Sequence, residues 1–400
     1  MDSTEFSQTK SSLLPRLKKE LEDLENQDLR RRILTPDSGQ KEEIVLEGET
    51  LLNFTSNNYL GLATDPALIS ASVEATETYG TSVAASRLLV GSTPLHDQLE
   101  ESIAALKKCS SALLYSAGYL ANIGVISALT SPGDIVFSDS LNHASIIDGT
   151  RLSRAETVVY RHLDLEHLEQ LLSEAGPRQK FVVTETVFSM DGDLVDLPKL
   201  HAIVKKHGAV LIVDEAHATG VLGKSGGGAF DHFSIDPAET IIIGTFSKAL
   251  GSVGGFVAGP STVIEYLKNR SRSFIFNTAL PPSAVGAALV ALEKVVAEPD
   301  RRSQIVELSE YLRSGLVEAG FSVSNSQTQI VPMIVGEAVQ ALSVEKHLRN
   351  AGILAKAIRP PTVPEGTSRI RFNLNAKFDK EDIDKVLDAV KNWSFGTEYE

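Results

Sequence analysis

The chain has 400 residues, with 38 Lys and Arg against 52 Asp and Glu, 42% hydrophobic and 22% charged. That length leaves room for about two to three domains and buries roughly three quarters of the unfolded surface, which excludes a disulfide-stapled module and a disordered regulator. A net charge of −14 argues against a nucleic-acid binder, and one cysteine, Cys109, rules out an internal disulfide and fits a reducing cytoplasm.

Taken in chain order, residues 10–34 predict a charged helix, with Leu13, Leu14, Leu17, Leu21 and Leu24 at helical spacing. No apolar run nears the roughly 18 residues of a membrane span, and the opening Met1–Glu5 lacks the apolar segment of a signal peptide. From Leu51 onward, short β-rich runs alternate with helical stretches. The runs are Ser111–Tyr115, Asp134–Ser138, Thr157–Tyr160, Phe181–Thr184, Val210–Val213, Thr240–Gly244 and Gly255–Ala258. Several are apolar throughout, as strands covered on both faces are. Tyr119–Leu129, Leu165–Glu174 and Leu197–His207 are helical between them, so the pattern is βαβ and the fold class α/β, with a mostly parallel sheet. Pro281-Pro282 marks a break, followed by a helix at Ser283–Ala297 and a strand at Ile370–Leu374. The expected organisation is an N-terminal arm (1–49), a large domain (50–282) and a small C-terminal α+β domain (283–400).

Ligands of such sheets sit outside the carboxyl ends of the strands. The polar residues expected there are Ser116 to Tyr119, Asp139 and His143, Glu185 with Ser189 and Asp191, Asp214 and His217, and Thr245, Ser247 and Lys248. No G-x-G-x-x-G occurs, and Gly223-Lys224-Ser225 fails as a P-loop because Ala218 stands where its first glycine belongs. Asp214 directly after one strand, and Lys248 in a glycine-rich turn about one βαβ step later, suggest another chemistry. A lysine amine captures an aldehyde cofactor, and a buried carboxylate keeps a pyridine nitrogen protonated. The amides opening the helix at Gly118 and Tyr119 offer a phosphate seat, with Thr245 and Ser247 adding hydroxyls. Each residue alone has a plainer reading. Asp214 and His217 could ligate a metal, Lys248 could be a surface charge, His143 a hydrogen-bonded loop histidine, and Gly118 an ordinary helix start. Their joint occurrence at strand ends favours pyridoxal 5'-phosphate and no metal.

The motifs Asn57-Asn-Tyr-Leu-Gly61, Ser116-Ala-Gly-Tyr-Leu-Ala-Asn122, Asn142-His143-Ala-Ser, Val187-Phe-Ser-Met-Asp-Gly-Asp193, Asp214-Glu-Ala-His217, Thr245-Phe-Ser-Lys248-Ala-Leu-Gly and Asn277-Thr-Ala-Leu-Pro-Pro282 carry a family likeness over nearly the whole chain. The chain resembles the α-oxoamine synthases, pyridoxal-phosphate enzymes of the aspartate-aminotransferase fold type (fold type I). Leu29-Arg-Arg-Arg32 and Ile358–Thr367 point to the branch serving biotin biosynthesis. One stretch departs from the family pattern: after Arg371 this chain reads Phe-Asn373-Leu-Asn375-Ala-Lys-Phe378.

The resemblance implies a cytoplasmic homodimer with shared active sites. It assigns the covalent cofactor link and proton transfer to Lys248, the ring nitrogen to Asp214 and ring stacking to His143. Ser189 and His217 would meet the phenolic oxygen. Gly118, Tyr119 and Thr245 would hold the phosphate, with Thr278 from a neighbouring subunit. Arg371 would clamp the amino-acid carboxylate, and Arg30 the far carboxylate of the acyl group. The implied substrates are L-alanine and pimeloyl-CoA or pimeloyl-acyl carrier protein. Within the family the alternatives are glycine with acetyl-CoA or serine with a long acyl chain; outside catalysis, a cofactor-binding subunit without activity.

Overall fold

A computed structural model describes residues 13–31 and 33–393 of the chain. Residues 10–12 of the expected arm helix, Arg32 of the arginine triplet and residues 394–400 fall outside the described residues.

The strands in chain order are β1 (Glu43–Leu46), β2 (Glu49–Asn53), β3 (Ser111–Tyr115), β4 (Ile135–Asp139), β5 (Glu156–Tyr160), β6 (Lys180–Glu185), β7 (Val210–Asp214), β8 (Ile241–Thr245), β9 (Gly255–Gly259), β10 (Ile330–Gly336), β11 (Ile353–Leu354), β12 (Lys356–Ile358) and β13 (Ser368–Asn373). Seven of them form the central sheet in the order β3-β9-β8-β7-β6-β4-β5. Its middle strands are rich in β-branched residues and apolar on both faces, as burial from both sides requires. Alternation then divides the side chains. Leu211 and Val213 join Leu168 and Leu200 in one core, while Ile212 faces Val125, Ile146 and Leu267 in another.

All the strands of this sheet run parallel except β9, which is antiparallel to β3 and to β8. The sheet is mostly parallel, as expected, and its one exception has a physical reason. The segment from Phe246 to Gly254 is too short for a crossover helix, so the chain turns back as a hairpin. Register places Gly255 opposite both Tyr115 and Thr245, and Glu185 opposite Asp214. The carboxyl ends of β3, β4, β6, β7 and β8 therefore open on one edge.

Two three-stranded sheets, β1-β2-β11 and β10-β13-β12, flank this unit. In the first, β11 pairs parallel to β2, so residues 43–53 share a sheet with the C-terminal part of the chain. The helix Pro282–Ala297 packs on Pro66–Tyr79 and Pro94–Lys107. The described part of the arm helix, Leu13–Asn26, ends earlier than its periodicity predicts. It stops where the amides of Leu29 and Arg30 both turn back to the Leu24 carbonyl and Asp28 takes φ 55°. The helix has no buried residue. Among the described residues, no helix is long and apolar enough to cross a membrane.

Candidate active site

The helix Gly118–Leu129 starts where β3 ends, and its N-cap, Ala117, has no side chain able to cap it. No acidic residue occupies its first turn, so the opening amides and the positive end of the helix dipole are left for an anion. Thr245 lies beside this start: a Cβ on Gly118 would sit 3.1 Å from Thr245 Cβ. Thr245 Oγ1 is 2.8 Å from Ser247 Oγ and donates to the Gly254 carbonyl at 2.7 Å. Gly255 lets the two backbones meet, since a Cβ there would fall 2.6 Å from the Ala117 carbonyl and from Gly118 N. Glycine is required at that position by close approach.

Asp214 ends β7 and is buried. Asn122, one turn into the same helix, donates to its Oδ2 at 2.6 Å, and the Ala216 amide donates to Oδ1 at 2.7 Å. Lys248 Nζ lies 2.9 Å from His217 Nε2, and His217 Nδ1 lies 2.7 Å from the Tyr59 hydroxyl. Burial, then the Lys248 and Arg371 charges, hold the His217 pKa well below its usual range, so its ring is neutral. With Nε2 accepting from Lys248, Nδ1 carries the proton and donates to Tyr59, which donates to Asn57 Oδ1 at 3.0 Å. Arg371 Nη2 joins the same group, 3.2 Å from Asn57 Oδ1 and 3.5 Å from the Tyr59 hydroxyl. Burial pushes the Lys248 amine down to about 8, against the pull of Asp214 and Glu185, with Arg371 adding to the decrease. Burial also raises the Tyr59 phenol to about 12.

His143 caps the helix Ala144–Ser153 and accepts at Nδ1 from the Ser145 amide. Its ring sits edge-on to Tyr119, with centroids 6.1 Å apart. Burial lowers its pKa, Asp214 opposes and Lys248 adds to the decrease. The His143 amide donates to Glu185 Oε1 at 2.7 Å. Burial, and then Asp214, raises Glu185 to about 8. Ser189 is half-buried on the turn closed by the Val187–Leu194 bridge. The exposed Thr278 sits beside β3's end, its carbonyl accepting from the Ser116 hydroxyl at 2.9 Å.

The structure thus gathers Lys248, Asp214, His143, His217 and Arg371, with Gly118, Tyr119 and Thr245 at the helix start. Arg30 is not among them. It is exposed and paired with Glu25 at 3.0 Å, while Arg31 approaches the Thr362 hydroxyl at 3.4 Å. Tyr59, Asn122 and Glu185 belong to the constellation although sequence reasoning assigned them no role. The Asn57–Gly61 and Ser116–Asn122 motifs and the strand-end position of Glu185 were the available signals.

The donor set fits pyridoxal phosphate. Open amides and hydroxyls suit its phosphate, Asp214 a pyridinium nitrogen, and the depressed amine an aldehyde. Two buried atoms beside Asn57, Arg371 Nε and Asn373 Oδ1, have no hydrogen-bond partner, nor has Asn122 Oδ1 next to Asp214. Orphaned buried groups call for an explanation, and a cofactor or substrate bound among these residues supplies one.

Residues 49–390 match the family model described as aminotransferase class I and II. The chain belongs to that family. It is 45% identical over 377 residues, 94% of this chain and 97% of the other, to the 8-amino-7-oxononanoate synthase of Lysinibacillus sphaericus. A serine palmitoyltransferase variant from S. paucimobilis with bound PLP–myriocin aldimine superposes with a TM-score of 0.90 at 31% identity, covering 95% of this chain and 97% of that one. The 8-amino-7-oxononanoate synthase of Francisella tularensis gives a TM-score of 0.75 at 31% identity, covering 85% and 97%. The family likeness read from the motifs and the fold type I architecture are both borne out.

Proposed function

We propose that this chain is a pyridoxal-phosphate-dependent acyltransferase. It condenses L-alanine with a pimeloyl thioester, releasing carbon dioxide and the thiol, to give 8-amino-7-oxononanoate in biotin biosynthesis. The observation that carries the reading is the 45% identity over 94% of the chain to a relative of that name. The lysine–carboxylate pair that the chemistry needs supports it.

When bound, pyridoxal phosphate supplies an aldehyde for amine capture and a ring that accepts the electron pair left at the α-carbon. The chain's residues would do the rest. The helix start at Gly118 and Tyr119, with Thr245, would seat the phosphate. Asp214, oriented by Asn122 and the Ala216 amide, would keep the proton on the pyridine nitrogen. His143 would cover the ring, and Ser189 and His217 would meet its phenolic oxygen. Arg371 would bind the alanine carboxylate through its guanidinium, a planar match to that group. Lys248, whose amine is about half neutral at pH 8, would take the α-proton.

The acyl donor would be pimeloyl-CoA or pimeloyl-acyl carrier protein, and Arg30 would receive its distal carboxylate. A second copy of the chain would cover the exposed apolar residues Leu13, Leu14, Leu88, Leu89, Val90 and Phe276, and bring its Thr278 to the phosphate. The lone, half-buried thiol of Cys109 suits a cytoplasmic enzyme.

Thiol and carbon dioxide release from L-alanine with each pimeloyl donor tests the reading. Turnover there, and little with L-serine and palmitoyl-CoA, is expected. The reverse preference would assign the chain to another branch of the family.

A further inference from the structure

His162, between β5 and the helix Leu165–Glu174, is not one of the proposed cofactor or substrate ligands. Its Nδ1 is 2.8 Å from Asp139 Oδ1 and its Nε2 is 2.8 Å from Asp193 Oδ2. With a carboxylate on each nitrogen, both nitrogens carry protons and the ring is an imidazolium. Its edge faces Phe188, with centroids 4.5 Å apart at 86°. Burial opposes the charge, but the hydrogen bonds to Asp139 and Asp193 outweigh it and push the pKa up to about 10.

The two carboxylates sit at the bases of two different turns. Asp139 ends β4, accepts from the Leu141 amide at 2.8 Å, and begins the turn that presents His143. Asp193 closes the turn that presents Ser189, its carbonyl accepting from the Phe188 amide at 3.2 Å. Both side chains are almost wholly buried. Asp139 has further donors, including the Leu163 amide at 2.9 Å. Asp193 has no such reserve: its Oδ1 lacks any partner, so His162 is what holds its charge.

We propose that His162 is a positioning residue of the cofactor site, a cationic clamp that ties the turn carrying His143 to the turn carrying Ser189. The inference rests on the roles of His143 and Ser189 proposed above, one over the cofactor ring and the other at its phenolic oxygen. Loss of the clamp would let the turns separate, because a buried unpaired carboxylate must find water or a proton. A displacement of even an ångström at a reacting centre is costly in rate. Arg371, on β13 of another sheet, would keep its hold on the amino acid.

The test is the dissociation constant for pyridoxal phosphate, with kcat and KM for L-alanine, on the full-length chain. His162→Gln should weaken cofactor binding and lower kcat, each by about tenfold, and leave KM for L-alanine within about twofold. Adding Asp193→Asn to His162→Gln neutralises the stranded carboxylate. It should restore the melting temperature while cofactor affinity stays low, and it serves as the test protein if His162→Gln does not fold. Recovery of both together would show that His162 serves folding alone and would overturn the proposal, as would wild-type cofactor affinity in His162→Gln. A wild-type chain that takes up no pyridoxal phosphate would instead overturn the functional reading itself.

Discussion

Lys248 is a half-buried residue whose amine touches a neutral imidazole and faces two carboxylates and a guanidinium. Its pKa of about 8 reflects burial first, with Asp214 and Glu185 opposing and Arg371 adding to the depression. The neutral amine is the nucleophile, and with that pKa its share rises from about a tenth at pH 7 to about nine tenths at pH 9. The rate at which the cofactor-free chain captures pyridoxal phosphate, followed by absorbance, should climb over that interval and then level. A rate still climbing above pH 10 would show an ordinary lysine. Lys248→Ala should abolish the covalent cofactor absorbance and cut turnover by about 1000-fold or more, because anchoring and proton transfer go together. Asp214→Asn tests the opposite end of the ring. The amide oxygen can still accept from the Ala216 amide, and the new NH2 can donate to the unpartnered Oδ1 of Asn122 once that side chain turns over, so the local fold survives, but a neutral partner no longer favours a protonated pyridine. Deuterium exchange at the α-carbon of L-alanine, read by NMR, should fall by about 100-fold. Exchange at the wild-type rate would remove Asp214 from that role.

The hairpin of β8 and β9 shows what an element contributes beyond its residues. Its loop presents Lys248, and its return strand begins at Gly255, pressed against the start of the helix Gly118–Leu129. A Cβ at Gly255 would fall 2.6 Å from Gly118 N, and backbone cannot yield as a side-chain tip does. Gly255→Ala should therefore weaken pyridoxal phosphate binding through the displaced amides and destabilise the chain by about 1–3 kcal/mol, measurable by ligand titration and thermal unfolding. An unchanged cofactor affinity would separate the helix start from the phosphate. The strand ends were legible in the sequence because doubly covered strands are apolar throughout and stop at a polar residue, as Val210–Val213 stops at Asp214. Lys248 and Asp214 stood out for that reason. The reversed direction of β9 was not legible, since Gly255–Ala258 has the composition of a buried parallel strand. Tyr59 escaped for a different reason. It lies in a turn with no periodicity, held by His217 at its hydroxyl and by the Ala376 amide at its carbonyl. The pairing of β2 with β11 joins segments some 300 residues apart, and no local pattern encodes such a contact.

At the scale of the whole molecule, charge bears on how the chain selects its acyl group. Its net charge is −14, so a dicarboxylic acyl chain meets a generally repelling surface and needs a specific cation. A tunnel fit for the methylene chain alone would reject the terminal carboxylate, because an unpaired buried charge is costly. Arg30 can supply the cation. Its present partner is Glu25 at 3.0 Å, with both side chains nearly half exposed. Exposed pairs of that kind contribute about 0–1 kcal/mol, so the guanidinium is given up cheaply to an incoming carboxylate. Arg31 near Thr362 brings this segment to the loop of Ile358–Thr367, which the motifs tied to the same branch. A hydrogen bond to a charged group is worth about 1.5–3 kcal/mol, and Arg30→Ala should accordingly raise KM for pimeloyl-CoA about tenfold or more. Proton exchange on L-alanine should remain at the wild-type rate, since Arg371 and Lys248 are the residues proposed for that step. The wild type should prefer pimeloyl-CoA to octanoyl-CoA, and Arg30→Ala should narrow the preference. If the wild type turns over the uncharged octanoyl chain as well as the pimeloyl chain, the distal carboxylate has no partner in this enzyme and its acyl specificity lies elsewhere.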